Sequence, residues 1–245
     1  MSFRRTTARI VGATTVVATF ALGLGVDSAR AKVPDSYSLA TLQAVGARAA
    51  YHRLVTLFQL ALLVNGAHNL PAVQRDALLQ ILRRDADGID KFGTRLAKET
   101  DPVAARADVV AIHDRFVVGQ LVSPQVTLTV QASTLSATAD RYVMLADAIN
   151  SVVSAKEDDA DTTHAQNLVA DTTDAQNLLA DMRKEITTAK RLLDPLPAQL
   201  IALDPSGYPG NRTVLDAARR TEDDAQHHLT QSIRTGTRAL TALSS

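Results

Sequence analysis

The chain of 245 residues contains no cysteine and no tryptophan, and it has only four Tyr and five Phe. Without cysteine it has no disulfide, no thiol nucleophile, no Cys-based metal site and no lipid-modified cysteine. The shortage of aromatic side chains disfavours sugar-binding clefts and base-stacking platforms. A core of aliphatic side chains must therefore hold the fold together.

The chain also lacks an excess of charge of either sign, because 26 Lys and Arg balance 26 Asp and Glu. Without its first 31 residues it loses four Arg and one Asp, which leaves 22 basic and 25 acidic residues and a net charge of −3. The two signs are interspersed and form no basic stripe. We therefore expect no nucleic acid as a partner.

The N-terminus has the pattern of an export signal. A positive segment with three arginines precedes an apolar run over residues 10–26, and the small-x-small sequence Ala-Arg-Ala ends at residue 31. This order predicts a signal peptide over residues 1–31, cleavage before Lys32, and a secreted or cell-envelope location. An uncleaved anchor is the alternative, although the apolar run is short for a membrane span of about 20 residues. No later stretch is long enough, so we expect no transmembrane segment in the mature chain.

Proline and glycine are concentrated at a few points and divide residues 32–245 into helix-length segments. Within each segment apolar residues recur at every third or fourth position, which is typical of amphipathic helices. The pattern predicts long helices over about 38–64, 71–96, 102–116, 124–156 and 211–242, with a further helix whose apolar stripe runs over residues 168–193. A Pro-rich connector over about 194–211 has room for only one short helical turn. We therefore predict an all-α, elongated bundle of about five to six helices that forms a single domain.

The apolar spacing also predicts which residues face the core. We place Val73 on the apolar face of the second helix and Leu240 on that of the last one. Gly88 and Gly93 weaken the second helix by about 1 kcal/mol each relative to Ala, which is consistent with a close helix crossing or a bend.

Residues 115–132, RFVVGQLVSPQVTLTVQA, are ambiguous because they are β-branched and partly alternating. Two short strands fit this pattern. An isolated two-stranded hairpin is only marginally stable, however, and the surrounding segments are helical. We therefore predict a helix that ends before Pro124 and a new helix that begins there.

Residues 161–180 are a tandem repeat of ten residues, with the copies DTTHAQNLVA and DTTDAQNLLA. Each copy contains Thr-x-x-Gln before an apolar pair, which is a helix-start signature, but only one copy can begin a given helix. Ten residues turn a helix 80° short of three full turns, so an insertion of this length should rotate the apolar face sideways. The stripe remains continuous because each copy has two adjacent apolar residues, either of which can face the core. We interpret the repeat as a duplication that lengthens the fifth helix or its entry. A periodic binding face is the alternative.

The densest polar cluster lies on the last helix. Asp223 with His227, and Asp224 with His228, are spaced to share one helix face, and carboxylate and imidazole groups are zinc ligands. Each face supplies only two ligands, so these are weak metal candidates. We predict a solvated helix face, no metal and no other cofactor.

Other polar residues are also candidates for chemistry. His52, and His113 next to Asp114, could act as general bases, but neither has a nucleophile motif around it. A set of arginines with one aspartate could line an anion site in the bundle, although we favour surface ion pairs as their explanation. They are Arg83, Arg84, Asp85, Arg141, Arg219 and Arg220. We assign no catalytic residue and no ligand-binding residue.

The segment SGYPGNR at 206–212 predicts a turn in which Asn211 caps the last helix. Two runs of the sequence resemble a recurrent group of exported actinobacterial proteins with long helices and no assigned activity. The runs are IHDRFVVGQLVSPQVTLTVQAS from Ile112 and LDPSGYPGNRTVLDAARR from Leu203. The resemblance covers most of the mature chain and implies export and an all-α fold. It implies no catalytic residue, and the copy at 161–170 is extra relative to its pattern.

The function that we expect is a secreted or cell-envelope, non-catalytic interaction or spacer protein. It would act through helix faces toward a protein or envelope partner, or by self-association, with exposed apolar positions above all among residues 168–179. The alternatives are a carrier of a small apolar or anionic ligand between helices, and a helical-bundle enzyme with an Arg-lined site.

Overall fold

A computed structural model describes residues 33–158 and 165–243, with side-chain detail over 33–156 and 171–243. The described residues form α1 (Leu39–Gly66), α2 (Ala72–Lys98), α3 (Pro102–Arg115), α4 (Ser123–Asp158), α5 (Ala165–Leu193), the short α6 (Leu196–Ile201) and α7 (Asn211–Ala242). A π-helical turn over Val118–Val122 leads from α3 into α4, and a 3-10 turn over Pro205–Gly207 precedes α7. These residues include no strand, which confirms the predicted all-α helical bundle.

Local side-chain chemistry sets two of the helix starts that the sequence predicts. The predicted cap of α7 by Asn211 is wrong, because that residue is already the first of the helix and α7 has no side-chain cap. The Ser38 hydroxyl accepts a hydrogen bond from the backbone N–H of Thr41 at 3.2 Å and caps α1. The Asp101 carboxylate accepts one from the N–H of Val103 at 3.0 Å, and Pro102 occupies the first turn of α3. Both contacts satisfy N–H groups that have no partner inside the helix.

The ambiguous segment is mostly helical, as predicted, and its two threonines are accommodated by their hydroxyl groups. The Thr127 hydroxyl donates to the Ser123 carbonyl at 2.8 Å, and that of Thr129 donates to the Gln125 carbonyl at 2.7 Å. These bonds to the carbonyl four residues earlier let threonine remain in a buried helix without an unsatisfied hydroxyl. The predicted helix boundary before Pro124 is wrong, because the π-helical turn runs directly into α4. The interruption lies earlier, at Phe116 and Val117.

The second copy of the repeat lies inside α5, so it does not begin a helix. Thr172, Ala175 and Leu179 are buried and continue the core face of α5 toward its C-terminus. Residues 161–164 of the first copy lie outside the described residues, and α5 already begins at Ala165. In the described part the duplication therefore lengthens α5, as predicted.

The buried apolar residues form two clusters that meet along α4. One cluster unites α1, α2, α3, the π-helical turn and the first turns of α4, where Val126 is fully buried. The other unites the rest of α4, beginning with Leu128, with α5, α6 and α7. The side chain of Gln125, one residue before Val126, donates to the Leu200 carbonyl in α6 at 2.7 Å. A single helix thus contributes to both cores.

Three features of the packing differ from the sequence expectation. Val73 is 82% exposed because it lies in the first turn of α2, before that helix's first buried position, Leu78. Leu240 is 41% exposed because the neighbouring Ala239 occupies the core-facing position of α7. The close crossing occurs at Gly46 of α1, which packs against Leu96 and Val109, whereas Gly93 has only ordinary contacts.

At Gly88 the missing side chain leaves room for an aromatic ring and not for the backbone of a neighbouring helix. A Cβ atom at this position would lie 2.6 Å from the Phe116 ring, which folds over α2 from the end of α3.

Among the helices in the described ranges, none combines the length and the apolar character needed to cross a bilayer.

Candidate interaction surface

The predicted metal candidates on α7 do not converge. Asp223, Asp224 and His227 are exposed, whereas His228 is half-buried with its Nδ1 2.5 Å from a carboxylate oxygen of Glu185 in α5. In the parts of the chain described by the structure, no three His, Asp or Glu side chains come together as metal ligands. The cluster is a solvated helix face with one hydrogen bond between α5 and α7.

The arginines that were candidates for an anion site lie at the surface of three helices. Arg83 of α2, Arg141 of α4, and both Arg219 and Arg220 of α7 are exposed. Arg219 pairs with Asp216 one turn away at 2.9 Å. Pairs of this kind contribute little to stability and do not make a binding site.

His113 takes part in a bond that joins α1 to the end of α3. An Arg53 guanidinium nitrogen lies 3.0 Å from His113 Nδ1, and the Arg53 Nε donates to the Phe116 carbonyl at 3.1 Å. Since the guanidinium only donates, His113 is the acceptor in this bond, through Nδ1. Burial lowers the pKa of Arg53 from its usual value. The arrangement satisfies the C-terminal end of α3, and His52 lies exposed with its ring edge against Tyr51.

Two buried carboxyl groups were not predicted. Glu222 of α7 is 7% exposed, and burial, reinforced by the charge of Asp223, raises its pKa to about 8. Asp85 of α2 is 3% exposed, and burial raises its pKa, although Arg84 donates to it at 3.3 Å. One carboxyl oxygen of each has no hydrogen-bond partner in the structure.

A sequence signal for Glu222 does exist. It lies between Ala218 and Ala225 in the same alternation of three and four residues that defines the core face of α7. The position is therefore a core position occupied by an acid, and its burial follows from helix geometry. Neither carboxyl group lines either of the two hollows described next.

Two surface hollows have the size of a small-molecule site. The larger, about 540 Å³, lies between α5 and α7, and its lining includes the charged Asp174, Asp181 and Arg238. The smaller, about 220 Å³, lies between the start of α2 and the helices α4 and α6. Both are open to solvent. A carrier of apolar ligands needs an enclosed apolar site, and neither hollow offers one.

The outstanding surface feature is a row of large apolar side chains along α1. Tyr51 and Phe58 are each 65% exposed, Leu62 is 57% exposed and Val55 is 36% exposed. We call these four residues the α1 stripe. Their spacing of four, three and four residues places them on one helix face, as in a coiled-coil seam. The opposite face of α1 is buried in the core, so this helix is apolar on two sides.

The α1 stripe also has few charges around it. The helix contains no acidic residue, and its ionisable side chains are Arg48, His52 and Arg53. Arg53 is engaged at the end of α3, as described above. Arg48 is exposed one turn before Tyr51 and is the only arginine of α1 that lies in line with the stripe. Large exposed apolar patches are uncommon on monomeric proteins and are typical of interaction sites.

The expectation that the repeat carries the exposed apolar positions is wrong for its described part. Ala175 and Leu179 are buried in the chain's own core, and Leu178 is half-buried against it. Leu168 lies among the residues without side-chain detail. The missed signal was in α1, where the stretch over residues 54–64 has more large apolar residues than one helix face can bury.

Comparisons of the chain with protein-family models, with curated proteins and with solved structures find no match.

Proposed function

We propose that the protein is an exported, non-catalytic interaction protein that binds its partner through the α1 stripe. The observation that carries the proposal is the exposure of Tyr51, Phe58 and Leu62 along one face of a helix that is held rigidly by its other face. The signal-like segment over residues 1–31 supports export to the cell envelope or the medium.

The chemistry of the surface favours a helical or flat apolar partner. The four side chains project at helical spacing, which suits insertion between the side chains of a second helix. Two of the four are aromatic, and aromatic residues dominate binding energy when they become buried at an interface. The core behind α1 fixes the stripe, so little conformational entropy is lost on binding.

Site-specific photo-crosslinking in the producing cell tests this proposal. The full chain is expressed with a photo-reactive phenylalanine analogue at position 58 or, as a matched control, at position 144. Met144 of α4 is also 65% exposed, but it lies among the charged residues of that helix. We expect a discrete adduct from position 58, at least about fivefold more abundant than from position 144.

A second substitution separates binding from random collision. Leu62→Glu places a charge in the α1 stripe without touching the core, and we expect it to remove the adduct formed from position 58. Equal adduct yields from positions 58 and 144, or an adduct that survives Leu62→Glu, would refute the α1 stripe as the binding surface.

A further inference from the structure

We infer that the partner of the α1 stripe is a second copy of this chain, bound with the two α1 helices antiparallel. This inference rests on the proposed function and adds to it the identity of the partner and the direction in which it binds. The two-fold axis passes between Val55 and Phe58, so that Tyr51 of each copy contacts Leu62 of the other.

The spacing within the stripe is self-complementary in this arrangement. Counting outward from a point between Val55 and Phe58, large side chains occur at the same steps in both directions, which is the condition for an isologous contact. Val55 of one copy then lies opposite Phe58 of the other. The smaller side chain faces the larger at each of these positions, as close packing requires.

The charges on α1 favour the antiparallel arrangement of the two helices over the parallel one. In a parallel pair the two exposed Arg48 side chains would face each other, and α1 contains no acidic residue to offset them. In the antiparallel pair each Arg48 lies beside Asn65 at the C-terminal end of the other α1. That end carries partial negative charge, and the last turn of α1 has no basic residue of its own.

The area is enough for a reversible dimer. With an aromatic side chain presenting about 150–250 Å², the exposed parts of the stripe and the flanking Leu63 offer on the order of 500 Å² per copy. Two copies bury about 1,000 Å² in total, the lower limit for a specific interface. We therefore expect a dissociation constant in the range of about 1–100 µM rather than a permanent dimer.

The first experiment measures mass against concentration. The full chain is produced in an exporting host and purified, its intact mass shows whether residues 1–31 are present, and sedimentation equilibrium is run from about 1 to 300 µM. We expect a monomer–dimer equilibrium. Phe58→Glu should weaken it at least about tenfold, and the matched control Met144→Glu should leave it unchanged.

The second experiment tests direction, and the absence of native cysteine makes it simple. Tyr51→Cys and Leu62→Cys are prepared separately and oxidised, alone and mixed. In the antiparallel dimer the mixture forms a disulfide between the two variants, whereas each variant alone does not, because like positions are about 16 Å apart along the helix. A parallel pair gives the opposite result.

Several outcomes would overturn the inference. A monomer at 300 µM, a dimer unaffected by Phe58→Glu, or self-crosslinking of each cysteine variant alone would each refute it. A monomer that retains residues 1–31 and crosslinks from position 58 within its own chain would identify that segment as the occupant instead.

The outcomes distinguish the proposed function from self-association. A purified monomer whose position 58 still crosslinks to another protein in the cell, in a manner lost with Leu62→Glu, refutes self-association but supports the α1 stripe as a binding surface. A monomer without that crosslink refutes both.

Discussion

Glu222 is the residue at which composition and position conflict most clearly. It occupies a core position of α7 with its carboxyl group against the backbone of Ala132 in α4, and burial raises its pKa to about 8. In the unfolded chain the same group ionises near 4.5. Between these values the folded protein holds a proton that the unfolded chain releases, so the free energy of unfolding falls as pH rises toward 8.

The first prediction is that Glu222→Gln removes this part of the pH dependence. Glutamine matches the neutral acid in shape, and we expect the variant to be more stable than the parent at pH 8 by at least about 1.4 kcal/mol, with little difference at pH 4.5. Denaturant unfolding at both pH values measures this. The exposed Asp224→Asn is the control, and a Glu222→Gln variant that tracks the parent at both pH values would contradict the prediction.

Gly46 and Gly93 give a second prediction at the scale of single residues. Both lie inside helices, where Gly→Ala usually stabilises by about 1 kcal/mol. A Cβ at Gly93 meets only the Ala50 Cβ at 3.8 Å, so Gly93→Ala should show that gain. A Cβ at Gly46 collides with Leu96 and lies 3.1 Å from a Val109 methyl, so Gly46→Ala should lose about 1–3 kcal/mol.

Thermal and denaturant unfolding of the two variants, side by side, measures the difference. The comparison is matched in chemistry and differs only in the space beside each glycine. If both substitutions stabilise the protein, the crossing of α1 over α2 and α3 at Gly46 is looser than described.

At the scale of elements, the hairpin of α4 and α5 shows how the repeat is tolerated. Lys190 pairs with Asp140 at 2.5 Å and Arg183 with Asp147 at 2.9 Å, so seven residues along α4 match seven along α5 in the opposite direction. The same register brings the end of α4 opposite the second copy of the repeat. An insertion next to the turn of such a hairpin leaves the register of these remaining pairs unchanged.

The third prediction is that deleting residues 161–170 leaves a folded protein. The second copy keeps its own helix-start signature, Thr-x-x-Gln, and its buried Ala175 and Leu179 keep their positions in the core. We expect a melting temperature within about 4 °C of the parent, a shift equivalent to roughly 1–2 kcal/mol or less. Circular dichroism on heating measures it. Loss of cooperative melting would show that the first copy is required for folding.

The α1 helix illustrates the limit of reading amphipathicity from sequence. Its buried positions, including Leu42, Leu57 and Val64, follow the predicted face. The second apolar row was not predicted, because a helix that is apolar all round normally implies burial all round. In this fold α2 and α3 cover only part of α1, and the remaining apolar face is left open.

At the scale of the whole molecule, the sharing of α4 between the two core clusters bears on whether the protein unfolds as one domain. Val126 in the first turns of α4 belongs to one cluster, whereas Leu128 and the later buried apolar residues of α4 belong to the other. A continuous helix cannot lose one half of its packing without weakening the other. The sequence prediction of a single domain therefore leads to an expectation of cooperative unfolding.

The fourth prediction concerns Leu78→Ala in the α1–α3 cluster. Leu78 is fully buried, so truncation should cost about 3 kcal/mol. If unfolding is cooperative, the slowest-exchanging amides of α7 accelerate together with those of α1 by roughly 100-fold, measured by native-state hydrogen exchange. Val73→Ala, at an 82% exposed position, should change neither. Acceleration confined to α1–α3 would indicate two independently unfolding units.

By itself, the sequence determined the elements. Apolar spacing and the turn residues placed every long helix to within a few residues, since both act through contacts between near neighbours in the chain. The same reasoning resolved residues 115–132 as helix, and the polar alternation on α7 identified a solvated face with weak metal candidates.

Only the tertiary structure decided which of these helix faces are covered. Whether the apolar rows of α1 and α5 are buried depends on which helices pack beside them, and that is a property of contacts far apart in sequence. The packing of the helices buries Leu179 of the repeat and the carboxyl group of Glu222, and it leaves Phe58 of α1 exposed. The interaction surface could therefore be found only after the helices were packed, because exposure is a property of the assembled bundle and not of any one segment.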